Sequence, residues 1–85
     1  MKNFSATVRV HKKQAVADPE GKTIGKALNR LGYNNVKKIR LGKVFSVEIS
    51  AEGIKNAREI VEKISREILS NPIIEDFDFD IKETA

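Results

Sequence analysis

The sequence predicts an α+β fold in the order β-α-β-β-α-β. Three observations carry this: apolar and polar residues alternate over 4–11 and 73–82, two apolar stripes recur at helical spacing, and helix-boundary residues bracket the first stripe and stop the second. Along the first strand, Phe4, Ala6, Val8 and Val10 take one face and Ser5, Thr7, Arg9 and His11 the other. After the loop 12–17, Asp18 is the N-cap of a helix and Pro19 its first residue. Ile24, Ala27, Leu28 and Leu31 form the apolar stripe of that helix, and Gly32 ends it where a left-handed residue is needed. Strands are expected at about 36–41 and 43–50, with Gly42 making the tight reversal. Ile39, Leu41, Phe45, Val47 and Ile49 are expected to face inward.

A second helix over about 52–70 carries Ile54, Ala57, Ile60 or Val61, Ile64 and Ile68 on its apolar face. Asn71-Pro72 stops it, because proline disfavours a helical residue before it. The last strand sets Phe77, Phe79 and Ile81 against Asp76, Asp78, Asp80 and Lys82. Two helices on one face of a four-stranded antiparallel sheet, the ferredoxin-like architecture, is what this order builds. Residues 1–85 read as a single domain.

Composition narrows the function. The 85 residues, 40% hydrophobic and 33% charged, suit a globular domain and argue against disorder. A domain this small buries only about 60% of its unfolded surface, so it is expected to lean on oligomerisation or a partner. Without cysteine there is no disulfide, no thiolate zinc site and no cysteine nucleophile, and the lone His11 excludes a multi-histidine metal site. No apolar run approaches the roughly 20 residues of a membrane helix, and the N-terminus lacks a signal-peptide core; a cytoplasmic location is expected. The net charge of +4 hides a split. Residues 1–43 carry a balance of +9 and residues 44–85 one of −5. The basic half suits nucleic acid, and the acidic half suits pairing with the basic one, inside the fold or across a subunit boundary.

Local motifs argue against catalysis. Gly21-Lys22-Thr23 resembles the end of a phosphate-binding loop, but Val16 stands where that loop needs its first glycine. Asp18-Pro19 starts the helix early enough to put Gly21–Thr23 in its first turns. His11 reads as a surface residue of a strand. Asp76, Asp78 and Asp80 share a strand face but spread over roughly 13 Å, which suits a solvated or partner-facing stripe better than a metal site. No nucleophile-elbow context surrounds Ser5 or Ser46. RNA-binding domains of this topology stack bases on exposed aromatics. Here Phe4 and Phe45 fall on the core face, and the open face would carry Thr7, Arg9, Lys38, Arg40, Ser46, Glu48, Asp78 and Asp80.

Three strings taken in order resemble the PurS family, the small subunit of multi-subunit phosphoribosylformylglycinamidine synthase. They are Asp18-Pro19-Glu20-Gly21 with Ile24, Ala27, Leu28 and Leu31-Gly32-Tyr33; Val36 through Arg40-x-Gly42-Lys43; and Leu69-x-Asn71-Pro72-x-Ile74-Glu75-Asp76. The resemblance covers about residues 4–83. Gln14-Ala15 departs from the acidic-glycine pair that the family pattern has there, and 50–57 matches loosely.

The resemblance implies a role in purine biosynthesis. Formylglycinamide ribonucleotide, glutamine and ATP give formylglycinamidine ribonucleotide, glutamate, ADP and phosphate. A glutaminase subunit with a cysteine nucleophile releases ammonia, and a large synthetase subunit, using ATP and a divalent metal, performs the amidination. The small subunit bridges the two, usually as a dimer, and supports assembly and ammonia transfer.

This chain is therefore expected to contain no catalytic residue, cofactor or metal. Its partners would be the glutaminase and synthetase subunits and further copies of itself as a homodimer or tetramer, with no nucleic acid and no membrane. The candidate subunit contacts are Arg40 and Lys43, with Asn71, Glu75 and Asp76 near the last strand. Two other readings fit the same topology: a nucleic-acid-binding domain favoured by the basic half, and a small-molecule regulatory domain binding at a subunit interface.

Overall fold

The first strand lies at the centre of the sheet, and its inward residues Phe4, Ala6, Val8 and Val10 are all buried. The computed structural model covers residues 1–85, and in it β1 (Lys2–Lys12) pairs antiparallel with β2 (Gly42–Ala51) on one side and β3 (Glu75–Thr84) on the other. The order is β2-β1-β3. Register sets Phe45, Val8 and Phe79 in one cross-strand row and Val47, Ala6 and Ile81 in the next. Rows of this kind are the unit of sheet stabilisation.

That apolar face is covered by α2 (Ile54–Ile64), which buries Ala57 and Val61 against it. Val8, Val10 and Val61 are fully buried, each contributing about 1.5–3 kcal/mol. The helix continues into a wider π-helical turn, Ser65–Leu69. One extra residue per turn shifts the inward face. Leu69 packs on the core, while Ile68, expected inward, is 77% exposed. Ile54, also expected inward, is 46% exposed.

The first helix, α1 (Pro19–Arg30), starts and stops as predicted. Asp18 caps it, accepting the Gly21 N–H at 3.0 Å, and Gly32 ends it with φ +98°. Its placement differs from expectation. Only α2 lies over the sheet; α1 makes at most marginal contact with any strand. Its stripe is left open, with Ile24 41% and Leu31 74% exposed.

The four-stranded expectation fails at 36–41, which forms no strand, so the sheet has three strands. The physical reason is local. The Leu41 N–H donates to the Asp18 carboxylate at 2.7 Å, and Gly21 of α1 is pressed against the Ile39 carbonyl, which a Cβ at position 21 would meet at 2.2 Å. The start of α1 takes the Leu41 N–H, and the rest of the segment lies beside no strand to pair with. Gly42 consequently makes no reversal; it opens β2 opposite His11. The last strand begins at Glu75 rather than at Ile73, which is 82% exposed.

With α1 off the sheet the molecule is long and thin, 53 × 28 × 14 Å. Its radius of gyration is 16.8 Å, whereas a compact chain of this length has about 12 Å.

The π-helical turn gives a direct test. Leu69→Ala is expected to destabilise the chain by about 2–3 kcal/mol in chemical denaturation, and Ile68→Ala by no more than about 0.5 kcal/mol. The reverse order would mean that an unbroken α-helix reaches residue 70.

Candidate functional site

β1 ends where β2 and β3 begin, so antiparallel register gathers three of the candidate residues at one end of the sheet. Lys43 pairs with Val10, Asp76 with His11 and Glu75 with Lys12. Arg40 joins them through its side chain, which donates to the Lys13 carbonyl at 2.8 Å. Asn71 joins through the turn. Its N–H donates to a Glu75 carboxylate oxygen at 2.8 Å, and the Glu75 N–H donates back to the Asn71 carbonyl at 2.7 Å. All five predicted contact residues thus sit on one corner.

Lys13 holds that corner together, and the sequence reading missed it. Its N–H donates to the Ile74 carbonyl at 2.9 Å, its carbonyl takes Arg40, and its ammonium lies 3.5 Å from Asp76. No local signal separates Lys13 from Lys12 beside it. The role arises from residues 27 positions away at Arg40 and at the far end of the chain. The Lys13–Asp76 pair is roughly half-exposed on both sides and contributes at most about 1 kcal/mol. Its charges therefore stay available to a partner.

The five residues differ in what they already do. The Asn71 side chain accepts the Ile73 N–H at 3.1 Å, the turn-forming contact typical of asparagine. Arg40 is partly buried and bonded within the chain, and Lys43 is exposed and forms no ion pair.

Behind the corner, Asp18 is only 2% exposed, and its two carboxylate oxygens accept separate backbone N–H groups. The bonds from Leu41 and Gly21, helped by the charges of Lys12 and Arg40, hold this carboxyl below the usual carboxylate range.

Across the open sheet face the acidic stripe is paired. Arg9 bridges Asp78 at 2.5 Å and Asp80 at 3.0 Å, and these carboxylates raise the guanidinium pKa, Asp80 most. Lys38 and Arg40, expected on this face, lie on the non-strand segment instead. No group of three or more His, Asp or Glu side chains is placed to hold a metal ion, and no helix is long and apolar enough to cross a membrane. Gly21-Lys22-Thr23 lies in the first turns of α1, where the Thr23 hydroxyl donates to the Pro19 carbonyl at 3.0 Å.

The chain is thus a small three-stranded α+β domain with a charged corner at one end of its sheet. Residues 5–83 match the family model described as PurS, phosphoribosylformylglycinamidine (FGAM) synthase, and the chain belongs to that family. The PurS subunit of Methanocaldococcus jannaschii is 36% identical over 80 residues, which span 94% of this chain and 96% of the relative. The crystal structure of a PurS from the same organism superposes with a TM-score of 0.83 over 96% of this chain and 99% of that one. A chain from the structure of PurLQS from Thermotoga maritima is 37% identical, with a TM-score of 0.82 over 99% of this chain and 100% of that one.

Asp18 makes stability depend on pH with a definite sign. Its folded pKa is depressed, so its contribution is complete above the unfolded value of about 3.9 and is lost as pH falls through the folded pKa. Asp18→Asn is expected to melt several degrees below the parent at pH 7, with the gap narrowing as the pH approaches 3. A gap that stays constant in thermal melts across that range would contradict the carboxylate staple.

Proposed function

We propose that the chain is the non-catalytic bridging subunit of the phosphoribosylformylglycinamidine synthase complex, set between the glutaminase and the large synthetase. The observation that carries this reading is the convergence of Arg40, Lys43, Asn71, Glu75 and Asp76 on one sheet end, in a chain of the PurS family. Mixed charge on a turn-rich corner suits docking, where complementary charges orient a partner. The structural likeness to a chain of PurLQS supports a place within such an assembly.

In this reading ATP and the divalent metal belong to the synthetase, and this chain contributes position. Holding two active sites in a closed arrangement keeps ammonia from escaping to water. A second copy is the natural cover for the exposed Ile24 of α1 and Leu31 at its end, and the elongated shape supports a homodimer. The fold is then a ferredoxin-like arrangement of one domain whose outer strand, 36–41, stays unformed in the single chain. The cytoplasm, where the nucleotide substrates are made and used, is the location that fits. The pairing of Asp78 and Asp80 with Arg9 leaves mixed charge on the open face and no aromatic platform for nucleic acid.

Two experiments test the bridge. Glutamine-dependent synthesis by the two larger subunits is expected to require this chain, whereas synthesis from ammonium salts is not; robust glutamine-dependent activity without it overturns the reading. Lys43→Ala, on an exposed residue with no internal ion pair, is expected to keep its melting temperature while association weakens at least roughly tenfold. Pull-down and light scattering read that loss. Normal assembly of both Lys43→Ala and Asp76→Asn would remove this corner as the docking surface.

A further inference from the structure

α1 has a second face, and it is cationic. Lys22, Gly25, Lys26 and Asn29 recur at i, i+3, i+4 and i+7 and line a cleft of about 480 Å³. Lys37, Lys38 and Arg40 line it from the non-strand segment, and Val16, Val36 and Ile39 supply apolar lining. Five cations therefore border one concavity. None of them forms an ion pair within the chain, whose pairs use Arg9, Lys13 and Arg66.

The single carboxylate in the lining is Asp18, and both its oxygens already accept backbone N–H groups. Arg40 gives a donor to the Lys13 carbonyl and keeps others of its five. Lys22 and Lys26, one turn apart, repel each other in the free chain, as do the neighbours Lys37 and Lys38. A bound anion relieves both repulsions. The site is the flank of the helix, not its N-terminus, where Asp18 provides the cap. A Cβ at Gly25 would meet no atom within 4 Å, so this wall is open.

We propose that the cleft binds a phosphate-bearing small molecule of nucleotide size. Several negative charges packed into a small volume answer five cationic residues lining one cleft, and compact lysine ammonium groups are effective phosphate donors. The volume lies within the range of small-molecule pockets, and the valine and isoleucine lining suits a ring or sugar beside the phosphates. The inference does not depend on the bridging role.

Isothermal titration calorimetry of the full chain with ATP, and separately with inorganic tripolyphosphate, tests it. Both probes are expected to bind saturably at one site per chain, with affinity falling as salt rises. Tighter binding of ATP would add contacts from its nucleoside; equal binding would mean that the phosphates suffice. Lys22→Ala/Lys26→Ala and Lys37→Ala/Lys38→Ala, each checked for an unchanged melting temperature, are each expected to lose at least roughly tenfold in affinity. No saturable binding of either probe, or undiminished affinity in both double variants, overturns the proposal. It is equally overturned if neither probe binds while the double variants lose association with the glutaminase or synthetase subunit, because the cations would then serve an acidic protein surface.

Discussion

The Asp18 carboxylate accepts one N–H three residues ahead, at Gly21, and another 23 residues away, at Leu41. A buried carboxylate is tolerated only when its lone pairs are filled, and here backbone donors fill them. The same two bonds fix much of the molecule's shape. They cap α1, tie its first turn to residues 39–41 and press Gly21 against the Ile39 carbonyl. Any side chain at position 21 would force the helix away. Once that contact is made, α1 is committed to the connector and does not cover the sheet.

The sheet is therefore served by one helix. β1 has partners on both edges, and its even-numbered residues lie under Ala57, Val61 and Leu69. The opposite face is polar, with Arg9 bridging Asp78 and Asp80 and offsetting part of their charge. Arg66 adds an edge contact, its guanidinium 5.4 Å from the centre of the Phe77 ring. The core is small even for 85 residues, with seven buried hydrophobic side chains. Apolar surface is left over at α1, where Ile24 and Leu31 are exposed.

The charged corner follows from the same topology. Antiparallel pairing on both sides of β1 puts the end of one strand beside the beginnings of two others, so residues from three stretches of sequence meet there. Lys13 joins them by backbone and side chain together. Half-exposed pairs hold such a corner only loosely, which suits a surface whose partners are other subunits. The chain leaves the sheet at this corner to form the helix bearing the cationic cleft, so the corner and the cleft share Arg40.

The sequence by itself determined the elements whose causes are local. Alternation set β1, β2 and β3; Asp18-Pro19 and Gly32 bounded α1; Asn71-Pro72 ended the second helix; and the motif strings carried the family. The corner residues were legible as motifs, although nothing in their spacing placed them together. Tertiary structure alone decided what depended on distant partners. Residues 36–41 alternate well enough for a strand, but the Leu41 N–H was claimed by Asp18, and no local pattern records a competitor 23 residues away. The exchange of Ile68 for Leu69 needed a π-helical turn, which the apolar spacing does not encode. Lys13 became a hub and α1 left the sheet for the same reason. Periodicity reports which face of an element is apolar, whereas packing geometry decides what that face meets.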